Sequence, residues 1–215
     1  MPLILNIDTS TEHASICLAN NSQCIKALSN DNQKEHASWL HPAILRALAE
    51  SGKQLSDLDA VGITTGPGSY TGLRVGMAAA KGLCYALNIP LIGTNTLDAM
   101  ALMGVEEDVD YICPMIDARR MEVFTALYNK TLEPVLFPSA IILDENSFSY
   151  YLGNSKIVFL GNGISKFEKI VANKNAYFKN YIFTAVILCS FTYNKFNRNE
   201  FSGLEYTEPF YLKGF

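Results

Sequence analysis

The sequence predicts an α/β protein of two related lobes, and three observations carry that expectation. In the first half, short apolar runs and helical-period stretches alternate in the order βββαβαβα. The second half repeats that opening in reduced form. Asp8 and Asp117 each stand where a first strand gives way to a second.

Leu3 to Ile7, Ser15 to Ala19 and Cys24 to Leu28 read as an antiparallel meander, with Asn20 and Asn21 marking a tight reversal. Trp39, Leu40, Ala43, Ile44, Ala47 and Leu48 then follow helical spacing up to Gly52. Pro42 lacks an N–H and crowds the preceding turn, so this helix is expected to start near Ser38 or to kink there. Ala60 to Thr64 is a short apolar strand. The dense glycine punctuation that follows, Gly66, Pro67, Gly68, Ser69 and Tyr70, reverses the chain into a helix that Ser69 or Thr71 can cap.

Along that helix Leu73, Met77, Ala80, Cys84 and Leu87 form an apolar seam. Beside it, Gly72, Gly76 and Ala79 carry almost no side chain. Such a face invites close approach by another backbone, in the fold or in a partner. A glycine loop opening a helix also suits an anion, because free N–H groups and the positive dipole end coincide there. The spacing is neither GxxxxGK[ST] nor GxGxxG, however, and Lys81 lies well inside the helix, so a purely structural turn is the competing reading.

A strand at Pro90 to Gly93 and a helix from Thr96 to Met103 complete the first lobe, residues 1–103. Gly104 to Asp110 is read as the seam to a second lobe, residues 104–215, whose last residues could pack back on the first. There Tyr111 to Ile116 and Glu122 to Tyr128 are strands joined by Asp117, Ala118, Arg119 and Arg120. A third strand is expected near Pro134 to Phe137, a helix over Asp144 to Leu152, a strand over Lys156 to Leu160 and a helix ending near Val171.

The composition narrows the function classes. With 49% apolar and 18% charged residues the chain is globular, and a net charge of −4 argues against nucleic-acid binding by this chain alone. Five scattered cysteines without a CxxC read as reduced, buried thiols of a cytoplasmic protein rather than as disulfides or a metal site. No signal peptide is read at the N-terminus, and Ile182 to Tyr193, the most apolar late run, is too short to span a bilayer.

Asp8-Thr9-Ser10 after the first strand, Thr65-Gly66-Pro67-Gly68-Ser69-Tyr70-Thr71-Gly72-Leu73-Arg74-Val75-Gly76 in the middle and Asp117-Ala118-Arg119-Arg120 beyond it resemble the bacterial TsaB (YeaZ) family. So does the closing Glu208-Pro209-Phe210-Tyr211-Leu212-Lys213; the likeness covers nearly the whole chain except Asn173 to Phe183. The resemblance implies an actin-like ATPase-domain (ASKHA) fold of two ribonuclease-H-like lobes, the second reduced. It implies a non-catalytic role in making N6-threonylcarbamoyladenosine in tRNAs that read codons beginning with A, beside a TsaD-type catalytic subunit, a TsaE-type ATPase and TsaC, with tRNA held only through the complex.

Pairing by the two helices of the first lobe, here His36 to Glu50 and Gly72 to Leu87, is likewise an implication, as is homodimerisation when the chain is alone. The partner-binding candidates are Trp39, Leu40, Ile44, Gly72, Val75, Gly76, Ala79 and Leu83; Trp39, the sole tryptophan, is a contact anchor or a core residue. Weak ATP or ADP binding, in the cleft between the lobes or at the partner interface, would involve Asp8, Thr9, Ser10, Gly66, Gly68, Ser69, Asp117 and Arg119, with no cofactor required. Yet Thr9 and Ser10 stand where full ATPases of this fold keep a glycine, and Asp8 and Asp117 read as hydrogen-bonding turn residues. No catalytic or metal-ligating residue is expected: His36 and His41 would point about 140° apart on a helix, so they do not converge on one ion. An ATP-using or metallopeptidase-like enzyme is the alternative. Arg74, in a helix's first turn, sits poorly against the dipole unless an acidic partner answers it or it is a solvated charge.

Overall fold

The computed structural model describes residues 1–32 and 35–213. The chain divides into two compact units, Met1–Thr96 with Thr184–Phe210, and Leu97–Phe183 with Tyr211–Phe215. The seam therefore falls at Thr96/Leu97, not at Gly104, because Leu97, Ala99, Met100 and Ala101 are buried with the second unit.

The first unit is a five-stranded sheet in the order β3-β2-β1-β4-β5, with β1 Leu3–Asp8, β2 Ala14–Asn20, β3 Gln23–Asn30, β4 Ala60–Gly66 and β5 Leu91–Asn95. β1, β2 and β3 pair antiparallel, while β4 and β5 run parallel to β1. Helices α1 (His36–Glu50) and α2 (Tyr70–Leu87) are the crossovers that the parallel strands require. Both faces of this sheet are covered, which is why its central strands read as unbroken apolar runs instead of alternating. Leu3, Leu5, Ile7, Ile16 and Leu18 meet α1 and α2 in the main core. Cys17 and Ala19 on the other face meet Ala185 and Cys189, and Ile4, Ala60 and Ile92 meet Phe196.

That second layer is supplied by the returning segment. α6 (Leu188–Asn197) fixes itself to β1 through Thr192 Oγ1, which donates to buried Asn6 Oδ1 at 2.8 Å, and to β5 through Lys195 Nζ, which donates to the Gly93 carbonyl at 2.7 Å. Further on, Ser202 bridges to Leu91 and the Phe210 amide donates to the Thr65 carbonyl. Within the apolar run at Ile182 to Tyr193, Ala185, Leu188 and Cys189 are buried, the last two in the first turn of this covering helix, whereas Ile182 is 64% exposed.

The second unit repeats the order as β10-β9-β6-β7-β8, with β6 Tyr111–Asp117, β7 Glu122–Asn129, β8 Pro134–Ile142, β9 Ile157–Leu160 and β10 Ala176–Lys179. Directions match strand for strand: β6, β7 and β8 antiparallel, β9 and β10 parallel to β6. Two copies of this mixed arrangement are two ribonuclease-H-like lobes, the pairing that defines the actin-like fold. Reduction is greatest in the crossovers: α4 (Ser149–Leu152) and α5 (Ile164–Glu168) stand where the first unit has helices of 15 and 18 residues. α3 (Thr96–Ala101) precedes β6.

Several expectations need correction. α1 starts at His36 and runs through Pro42; both Pro42 and Ser38, the residue whose carbonyl loses its usual i+4 donor, are exposed, so that loss falls on the solvent side of the helix. The helix expected over 144–152 is only its last four residues, since Asp144 takes the Asn146 amide and the Ser147 hydroxyl in a turn. β8 runs to Ile142 rather than to Phe137, and α5 stops at Glu168. Cys24 is exposed on β3, unlike the other four cysteines. Among the described residues no helix is long and apolar enough to cross a membrane.

Candidate protein-interaction site

The outer surface of α1 and α2 carries a groove of about 410 Å³ lined by Ala37, Leu40 and His41 of α1 and Val75, Ala78, Ala79, Gly82 and Leu83 of α2. Its floor is apolar because Leu40 and Ala79 continue into the core beneath; its rim is open because Ala37, Ala78 and Gly82 are exposed and small. Ala78 and Gly82, like Ala37 and His41, lie one helical turn apart. Beyond the rim Leu45 and Tyr85 are 57% and 82% exposed, so apolar surface continues on both helices.

Of the residues expected at a partner face, Leu40, Val75, Ala79 and Leu83 line this groove. Trp39 is half-buried and packed on the core. Ile44 is 2% exposed and belongs to the core, a correction that follows from its place on the sheet-facing row of α1. Gly72 and Gly76 are also corrected: they face their own sheet. A Cβ on Gly76 would collide with Thr9 Oγ1 and stand 3.1 Å from Ile63 Cδ1, and one on Gly72 would collide with the Thr9 carbonyl. Thr9 Oγ1 donates to the Gly72 carbonyl at 2.8 Å, locking that approach. Sequence reasoning missed Ala37, His41, Ala78 and Gly82; the signal lay in their one-turn spacing beside the buried seam.

The residues considered for a nucleotide fall into separate units. In the first, Asp8 is fully buried and its Oδ1 accepts from the Ser10 amide at 3.1 Å, Ser10 Oγ at 2.6 Å and Thr64 Oγ1 at 2.7 Å. Oδ2 is buried without a hydrogen-bond partner. Burial pushes this carboxyl up, against the lowering effect of the bonds from Ser10 and Thr64. A carboxylate so placed is disfavoured in its charged form and suits a turn anchor better than a metal ligand.

The glycine loop is committed to the same unit. The Ser69 amide donates to the Ser10 carbonyl at 2.7 Å, and the Gly72 amide donates to Ser69 Oγ at 3.3 Å as the N-cap bond. A side chain at Gly68 would strike the Ser10 carbonyl, and one at Gly66, which has φ of 114°, would strike the Phe210 carbonyl. These glycines are therefore explained by internal packing. The Arg74 guanidinium stacks 3.9 Å from the Tyr70 ring centroid, which answers its position near the helix start.

In the second unit Asp117 Oδ1 accepts from the Arg119 amide at 2.5 Å and pairs with Lys166 Nζ at 2.6 Å. Arg119 and Arg120 both have positive φ, 69° and 48°, the left-handed pair of a tight hairpin. Asp117 is thus a turn residue as well. Among the described residues no group of three or more His, Cys, Asp or Glu side chains is arranged to hold a metal. His36 is buried with Nε2 3.1 Å from the Glu12 carbonyl, whereas His41 is exposed.

A family model described as "TsaD: tRNA N6-adenosine threonylcarbamoyltransferase" matches residues 28–199. The tRNA threonylcarbamoyladenosine biosynthesis protein TsaB of Bacillus subtilis (strain 168) is 32% identical over 171 residues, 78% of this chain and 74% of that one. The chain belongs to the TsaB family. TsaB of Escherichia coli (strain K12) is 36% identical over 128 residues, 59% of this chain and 55% of the relative, so that alignment spans about half of the relative's length. The solved structure of YeaZ from Pseudomonas aeruginosa superposes with a TM-score of 0.83 at 27% identity, covering 99% of this TsaB-family chain and 100% of the other.

Proposed function

We propose that this TsaB-family chain is a non-catalytic subunit required for N6-threonylcarbamoyladenosine formation in tRNA, and that it binds a TsaD-type catalytic subunit with the α1–α2 groove. The groove is the observation that carries the reading: an apolar channel between two long helices, with small side chains on its rim, admits the ridge of a partner helix. The names of the relatives supply the pathway.

The groove gives pairing an apolar floor, and the exposed Leu45 and Tyr85 extend the area that a partner can cover. A second copy of the chain uses the same surface when no partner is present. A TsaE-type ATPase joins the assembly, and tRNA is held through the complex, consistent with the net charge of −4. The chain works in the cytoplasm, where tRNA is modified, and requires no cofactor of its own.

The test is reconstitution. Cognate TsaC-, TsaD- and TsaE-type proteins, ATP, threonine, bicarbonate and a tRNA reading an A-initial codon are combined with and without this chain, and modified adenosine is measured. Product that depends on the chain supports the proposal; equal product without it overturns it. Nucleotide turnover by the chain alone would favour the enzyme reading, and a rise in its melting temperature with ATP or ADP would establish nucleotide binding.

A further inference from the structure

Three of the five cysteines converge where the returning helix meets the first sheet. Cys17 on β2 and Cys189 in the first turn of α6 have Sγ atoms 3.4 Å apart, although 172 residues separate them in sequence. Both are buried, among Ala19 and Ala185. Asn6 Nδ2 donates to Cys189 Sγ at 3.8 Å, and Cys17 Sγ donates to the Leu18 carbonyl at 3.5 Å. Cys24, on the edge strand β3, pairs with Ala19, two residues along from Cys17 on β2. It is the exposed member. The remaining two cysteines stand apart: burial pushes Cys84 up to about 11 and Cys113 up to about 12, which keeps them as unreactive thiols. By contrast the contact between the two sulfurs holds Cys189 down and, together with burial, raises Cys17.

We propose that Cys24, Cys17 and Cys189 form a thiol relay through which hydrogen peroxide closes a Cys17–Cys189 disulfide, fastening α6 to β2. The exposed Cys24 thiolate attacks the peroxide, breaking its O–O bond to give a sulfenic acid and one hydroxide that leaves as water. Cys17 attacks that sulfur, forming a Cys17–Cys24 disulfide and releasing a second water. Cys189 then attacks Cys17, and the proton that Cys189 gives up ends on the departing Cys24 thiol. Two thiols are oxidised and one peroxide is reduced to two waters, so the sequence balances; a small-molecule thiol reverses it. The product encloses a long loop and ties the segment that leaves the second unit to the sheet of the first.

The test treats the full chain with graded hydrogen peroxide, blocks remaining thiols by alkylation and maps peptides without reduction; chymotryptic cleavage at Leu18 separates Cys17 from Cys24. The expected result is a chain lighter by two hydrogens, a peptide joining Cys17 to Cys189, and recovery of the original mass with dithiothreitol. Backbone hydrogen exchange over Leu188–Asn197 slows by about tenfold or more in the cross-linked form. A Cys24→Ser chain, altered only at an exposed edge position, forms the cross-link about tenfold more slowly. Oxidation that stops at Cys24, a product ending as Cys17–Cys24, or equal rates with and without Cys24 overturns the proposal.

Discussion

Substituting alanine for glycine at two positions of α2 should shift stability in opposite directions, and the structure sets the size of each shift. At Gly82 an added Cβ meets nothing within 4 Å, so Gly82→Ala removes the conformational cost of a helical glycine and should stabilise by up to about 1 kcal/mol. At Gly76 the same atom lands on Thr9 Oγ1 and close to Ile63. Overpacking of a filled site costs about 1–3 kcal/mol. If Thr9 rotates away it breaks its bond to the Gly72 carbonyl, and a buried hydroxyl without a partner costs about 1–3 kcal/mol more. Set against the helix gain, Gly76→Ala should destabilise by about 2–3 kcal/mol, which for a chain of this length lowers the melting temperature by about 5–10 °C. Trp39, the sole tryptophan, packs on the core that α2 closes, so its fluorescence in urea reports this unit. Equal stability of the two variants, or a stabilised Gly76→Ala, would refute the inward orientation of that glycine row.

Three further outcomes follow from the same geometry. Ala78→Glu, on the exposed rim of the groove, should change folding stability by less than about 0.5 kcal/mol, yet weaken binding of the TsaD-type subunit by about 100-fold or more by burying an unpaired carboxylate; calorimetric titration showing unchanged affinity would remove the groove from the interface. Asp8 keeps a proton in the native state that the unfolded chain releases near pH 3.8, so stability should fall as pH rises from that value through the raised native one, and Asp8→Asn should lack this fall; urea midpoints with parallel pH dependence would contradict it. Lys81 Nζ donates to the Glu205 and Thr207 carbonyls at 3.3 and 3.2 Å, so Lys81→Met should speed hydrogen exchange over 203–207 by about fivefold, and no change would show that the tail is held without it.

The strands of the first unit were legible in their succession along the chain because both faces of its sheet are buried, leaving β1, β2 and β4 as short apolar runs between turn residues. The seam from Leu73 to Leu87 was legible for the analogous helical reason. Which way the glycine row of α2 faces was not, since a helix wheel shows that two rows are small and apolar without showing which one meets Thr9. The long-range partners of α6 were equally invisible: Thr192 and Cys189 find Asn6 and Cys17 only after the chain has built an entire second unit. β10 lies in the stretch least like the family, and Ala176 to Lys179 is only four residues long, too short for an alternating pattern to mark it. Groove residues such as Ala78 and Gly82 are small because of what they leave open, and openness appears only in three dimensions.

The return of Thr184–Phe210 to the first unit has a consequence for biogenesis. A ribosome delivers strands β1 to β5 early, but the layer that shields Ile4, Ala60 and Ile92 emerges only after the entire second unit. Until then one side of the nascent sheet stays sticky. A premature stop just after Phe183 would leave that side permanently bare, and such a fragment should be drawn to chaperones and proteases.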